Sequence, residues 1–162
     1  MTDETPQVDH ERREWWLEAA TMAFYVAIVL GAALLVVEPV LGRLLAVVWG
    51  TALGLAIAHV FAFRLAANLV EEGPPGRHNL ELIGAQLAGA TLVGALVTLA
   101  VLVIPADDPA EVARFSLAAF IGLSAYGIGR TSGASRTRSV VFAAIVLVLA
   151  NAVVVTKYLL TH

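Results

Sequence analysis

Residues 44–63 read LLAVVWGTALGLAIAHVFAF, twenty residues without a formal charge, with Arg43 before them and Arg64 after. At 1.5 Å per helical residue the two arginines stand about 31 Å apart, the thickness of a bilayer's hydrocarbon core. The stretch is a transmembrane helix. It also carries His59, the one histidine of the chain's four that lies inside an apolar run.

Composition points the same way. Of 162 residues, 59% are hydrophobic and 14% charged, against roughly a quarter charged in an average soluble domain. A soluble fold could not cover that much apolar surface, so lipid is the solvent. The formal net charge of −3 excludes the basic footprint of a nucleic-acid-binding protein. The absence of cysteine excludes a disulfide framework, a thiolate metal site and thiol redox chemistry.

Upstream, residues 1–14 read as a polar cytoplasmic tail and Trp15 and Trp16 as an interfacial marker. The leader is long and acidic, unlike the basic n-region of a secretory signal, so the first apolar run is expected to stay as an anchor. That first span covers residues 19–37 and is closed by Glu38-Pro39, since the residue before a proline avoids the helical region. Downstream of residues 44–63, the breaker Glu71-Glu72-Gly73-Pro74-Pro75-Gly76 ends the second helix, and Asn79 is the expected cap of a third span at 82–104. Asp108-Pro109-Ala110-Glu111 places an acid at the cap and proline at the first helical position, which opens a fourth span at 109–129. The fifth covers 140–160, with Lys157 near enough to its end to snorkel.

The expected fold is therefore all-α, a single membrane domain of five transmembrane helices over residues 15–162. Five spans put the termini on opposite sides. Arg12, Arg13, Arg64, Arg77, Arg130, Arg136 and Arg138 then share one side, and Arg43, Arg114 and Lys157 the other. Under the positive-inside rule the first group is cytoplasmic, giving a multi-pass protein of the inner (cytoplasmic) membrane with its N-terminus in and its C-terminus out.

Helices in lipid associate through close backbone approach and polar contacts. Small residues four apart offer that approach at Gly50/Gly54, continued by Ala58, and at Ala85/Gly89, Ala90/Gly94 and Ala118/Gly122. These ridges serve bundle packing, or else join the chain to a second copy or to another membrane protein.

Counting along each helix from its cytoplasmic charge, His59 is five residues from Arg64, Gln86 five from Glu81 and Tyr126 four from Arg130. Each lies about 6 to 8 Å inside the boundary, with Ser124 and Tyr25 slightly deeper. A histidine in lipid needs partners for both ring nitrogens, so His59 is expected to face the bundle interior and bond to some of Gln86, Ser124 and Tyr126. One reading of this layer is a proton-linked or ligand-binding site, because histidine titrates near neutrality. The other is a packing histidine satisfied by a hydroxyl or carbonyl. No second titratable group at depth stands beside His59 on this count, and a haem would need two axial ligands where one intramembrane histidine is present, so no cofactor is expected.

Asn151 and Thr91 lie near mid-membrane, where each is expected to fix register by an interhelical hydrogen bond. His78 and Glu81, one turn apart, could meet a metal with Glu71 or Glu72, though charge-rich loops are ordinarily just solvated. The stretch from Arg130 to Arg138 sets topology, or else binds anionic headgroups. With no phosphate-cradling loop, zinc motif or nucleophile elbow, the sequence points away from an enzyme.

At Ala58-His59-Val60-Phe61-Ala62, followed by a polar loop and a final span ending near Lys157, the chain resembles uncharacterised small integral membrane proteins of high-GC actinobacteria. That resemblance implies class and location alone. Two functions are expected: a non-enzymatic bundle or assembly component, or a small proton-linked transporter or channel subunit using the layer around His59.

Overall fold

The computed structural model describes residues 5–38, 40–70 and 77–161. Five helices follow one another: α1 Thr5–Ala33, α2 Leu41–Val70, α3 Arg77–Val103, α4 Pro109–Thr131 and α5 Arg136–Thr161. No strand occurs among the described residues, and all five helices are long and apolar enough to cross a membrane. Pro39 and residues 71–76 lie outside the described residues, as do the side chains of His78 and Lys157.

α1 is the hub of the bundle. It packs against each of the other four helices, most extensively against α3, while α2 meets α4 only slightly and does not touch α5. Its face of Met22, Ala23, Val26, Ala27, Leu30 and Leu34 is buried. The helix whose sequence settles the class is by contrast peripheral: 22% of the membrane window of α2 is buried, against 39% for α1 and α3. α2 meets the core through Leu44, Val48, Ala52 and Ala56, four apart and fully buried.

Three helix ends depart from expectation. α1 starts at Thr5, within the stretch read as a tail, with Pro6 in the first turn where its missing N–H is no loss. It ends at Ala33, four residues before the expected end at Val37. Leu34 N donates to Leu30 O at 2.9 Å, and the chain then unwinds. The carbonyl of Leu34, left without a helical donor, accepts instead from Arg114 Nη1 of α4 at 3.3 Å. Arg114 Nη2 also reaches Asp108 Oδ2 at 3.5 Å. α3 starts at Arg77, so Asn79 lies inside its first turn instead of capping it. No breaker stands between Gly76 and Asn79 to delay the helix.

The start of α4 follows its sequence. Asp108 is extended, and its Oδ1 accepts from Ala110 N at 2.8 Å and Glu111 N at 3.3 Å, with Pro109 at the first helical position. Its other end closes in a Schellman turn: Ala134 N donates to Gly129 O, Gly133 N donates to Arg130 O, and Gly133 takes the left-handed φ of +78° that the turn requires.

Small residues set the helix spacing. Gly89 lies directly against the Ala19 carbonyl of α1, Gly94 against the Trp49 ring of α2, Gly122 against Leu147 of α5, and Gly129 against Ser139 of α5. Three of the four expected ridges are thus used inside the bundle. The Gly50/Gly54 ridge is not, for nothing lies within 4 Å of a Cβ built on either glycine.

Candidate functional site

Glu18, one turn into the membrane from Trp15, is the centre of the polar layer. Helical geometry puts Glu18, Thr21, Met22 and Tyr25 on one face of α1, the i, i+3, i+4, i+7 pattern. These four residues and His59 of α2 line a cleft of about 290 Å³. From α3, Gln86 Nε2 donates to Glu18 Oε1 at 2.6 Å. His59 Nε2 stands 3.9 Å from the same oxygen, with the His59 side chain 46% exposed and that of Glu18 32% exposed.

Gln86 is completely buried, and its Oε1 is buried without a hydrogen-bond partner. The orientation of the amide follows from chemistry, since an ionised carboxylate only accepts and so draws the N–H side of Gln86 to itself. A buried, unpaired acceptor costs about 1 to 3 kcal/mol. An apolar side chain at residue 86 would avoid that cost, so glutamine is there for its contact with Glu18.

Of the expected site residues, the structure brings His59 and Gln86 together, but through Glu18 and not with one another. His59 does not face the interior; it lies on the exposed side of α2, at the mouth of the cleft. Ser124 lines two other clefts, about 500 and 420 Å³, both walled by Phe120 and other apolar side chains. Tyr126 is half-buried on α4. Among the described residues no hydrogen bond joins Ser124 or Tyr126 to His59. α4 bears mainly on α5 and α3 and meets α2 only slightly, which keeps its polar residues away from the cleft.

Glu18 is the residue that sequence reasoning missed as a partner for His59, because a charge at the edge of an apolar run was read as the limit of the span. Trp15 and Trp16 were the signal. They form an edge-on pair with ring centroids 5.0 Å apart, and amphipathic indoles mark the interface. A carboxylate a turn beyond them falls within the apolar stretch of α1, Arg12–Ala33, that is long enough to cross a membrane.

The other mid-membrane polar residues have structural roles. Asn151 Nδ2 donates within its own helix to Leu147 O at 2.9 Å, and Thr91 is exposed, so neither makes the expected interhelical bond. The α2–α3 register is fixed instead by Trp49 Nε1 donating to Thr98 Oγ1 at 3.1 Å, while Thr98 donates to Gly94 O at 2.7 Å. Above Met22 the interior is apolar, closed by Val26, Leu30, Ala52, Ala56 and Val93.

The outward face of α2 is the second feature without a use inside the bundle. Gly42, Ala46, Gly50, Gly54, Ala58 and Ala62, four apart throughout, are all exposed. Leu53, Ile57 and Phe61 flank them and are exposed as well.

No family model, no curated protein and no solved structure matches this chain.

Proposed function

We propose that the chain is a non-enzymatic component of an inner-membrane assembly, with its N-terminus in the cytoplasm and its C-terminus outside, and that it pairs with a second copy of itself along α2. The observation that carries this reading is the open ridge from Gly42 to Ala62. Elsewhere Gly89, Gly94, Gly122 and Gly129 have a neighbour against them, while Gly84 on α3 and Gly127 on α4 stand open singly and not as a row. On α2, a Cβ built at Gly42, Gly50 or Gly54 meets nothing within 4 Å.

A ridge of small residues lets two helix backbones approach closely, and in lipid such packing drives association. Each four-residue step turns about 40° around the helix, so the part of the ridge that one partner can meet is its middle, Ala46 to Ala58, about 18 Å long. A symmetric pair also needs no second surface, because each copy presents the same strip to the other. A proton-linked transporter or channel subunit is the alternative reading, and Glu18 beside His59 supports it. The closed apolar interior of a single bundle supports assembly over conduction.

Since the natural chain has no cysteine, single cysteines along α2 give the test. Oxidation in lipid vesicles is expected to cross-link copies carrying cysteine at residues 46, 50, 54 or 58. Copies carrying it at 52 or 56, which face their own bundle, stay monomeric. Uniform cross-linking, or none in folded protein, would sink the pairing. Gly50→Leu with Gly54→Leu is expected to weaken association roughly tenfold or more, about 1.4 kcal/mol.

A further inference from the structure

We infer that the cleft between α1 and α2 binds a small amphipathic ammonium ion, with Glu18 as its counter-charge and His59 as a proton-dependent competitor for the same carboxylate. The inference goes beyond the pairing of α2 and holds for a single copy of the chain.

The cleft's charge comes first. Among the described side chains on the elements packed against α1 at this end, the charged or titratable groups are Arg12, Arg13, Glu14 and Tyr25 on α1 itself, His59 and Arg64 on α2, Glu81 on α3, Tyr126 and Arg130 on α4 and Arg136 and Arg138 on α5. Among the described residues, the ion pair of Glu18 is to His59, at 3.9 Å. Among the described residues Glu18 has the Gln86 amide N–H as its hydrogen-bond donor and no lysine or arginine in ion-pair contact. A carboxylate accepts up to about four hydrogen bonds, and Gln86 provides one. A positively charged donor complements the carboxylate's other lone pairs.

The walls then choose the kind of cation. Met22 and the Tyr25 ring are apolar, and an aromatic face attracts ammonium groups. Calcium takes six to eight oxygen ligands, and magnesium a near-ideal octahedron; one carboxylate and two hydroxyls, from Thr21 and Tyr25, fall short of either. Thr21 already donates its proton to Leu17 O at 2.8 Å, which leaves its oxygen free to accept. A volume near 290 Å³ suits a single aromatic ring with a short amine arm. One carboxylate balances one positive charge, so dications and zwitterions are disfavoured.

Competition follows from the shared oxygen. A protonated His59 would stand beside Glu18 Oε1 and supply the cation that the ligand would otherwise supply. Ammonium affinity therefore falls at low pH. Such exclusion of one cation by the other is the coupling that exchange of a proton for an amine requires.

The test uses the full chain in nanodiscs of zwitterionic lipid, with 2-phenylethylammonium as the probe, its neutral counterpart 2-phenylethanol as the control, and empty discs subtracted. At about pH 8 the parent is expected to bind the ammonium roughly tenfold more tightly than the alcohol, and at about pH 5 that preference shrinks severalfold. His59→Gln keeps the preference and makes it independent of pH over that range. Glu18→Gln abolishes it. Equal binding of amine and alcohol by the parent overturns the proposal, as does a preference surviving in Glu18→Gln. An undiminished pH dependence in His59→Gln overturns the competitor role. Should Glu18→Gln fail to fold, the parent's amine-to-alcohol ratio and the pH profile of His59→Gln decide the matter without it.

Discussion

Gly89→Ala adds one methyl group where α3 lies closest against α1 backbone among the described glycines. The new Cβ would overlap the carbonyl oxygen of Ala19, with Ala19 C and Ala23 N each 3.1 Å away. All three atoms are α1 backbone, so no side chain can rotate out of the way. Restoring ordinary contact distances of about 3.5 Å moves α1 from α3 by on the order of 1 Å. Overpacking of a tight core costs typically 1 to 3 kcal/mol, and an obstruction made wholly of backbone belongs at the upper end, about 3 kcal/mol. That is a roughly hundredfold fall in the folding equilibrium constant. The displacement has a second effect, because Gln86 precedes Gly89 by one turn and Glu18 adjoins Ala19. Their 2.6 Å hydrogen bond would open past bonding reach. Reversible unfolding in mixed micelles, followed by far-ultraviolet circular dichroism, gives the measurement. Gly84→Ala, on the same helix, is the matched control: its Cβ meets nothing within 4 Å, and replacing glycine in a helix interior is worth up to about 1 kcal/mol in favour of folding. If Gly89→Ala unfolds at the parental denaturant concentration, the close approach of α1 and α3 is refuted.

Trp49→Phe removes the indole N–H that Thr98 accepts but leaves Thr98 bonded to Gly94 O. The expected cost is about 0.6 kcal/mol, the mean for interhelical hydrogen bonds in membranes, and a double-mutant cycle with Thr98→Val is expected to return that coupling. Asp108→Ala leaves Ala110 N and Glu111 N without their shared acceptor and is expected to cost about 1 kcal/mol, whereas Asp108→Asn keeps most of it; the same unfolding assay compares them.

The existence and order of the five helices were legible because each is an apolar run bounded by charge or proline. Which side each helix shows to its neighbours was not. α2 carries two strips with the same four-residue spacing, Leu44-Val48-Ala52-Ala56 and Gly42-Ala46-Gly50-Gly54. In water a polar face would distinguish outside from inside, but in lipid both strips are apolar and periodicity alone does not choose between them. The structure buries the first and leaves the second open, although the small-residue rule favoured the second. His59 shows the same difficulty, since one helical step separates the core-facing side of α2 from its cleft-facing side. The partner of His59 was hidden for another reason. Glu18 serves both as the edge of a hydrophobic run and as the centre of the polar layer, and only the packing of α1 against α3 brings Gln86 across to reveal the second role. The cap at Asp108, by contrast, was plain because its hydrogen bonds are made within three residues.

The central place of α1 also sets a problem of timing during synthesis. α1 leaves the ribosome before the other four helices, yet Gln86, the residue that bonds its carboxylate, is separated from Glu18 by 68 positions. A carboxylate inside a lone membrane helix costs on the order of 3 kcal/mol toward the helix centre and less near the interface. Until α3 arrives, the nascent chain has to hold Glu18 at the headgroups or against the insertion machinery. A translation product stopped after α2 would carry an anion without its amide, and α1 would slide back toward the headgroups. Membrane integration of the first helix is thus completed by the third.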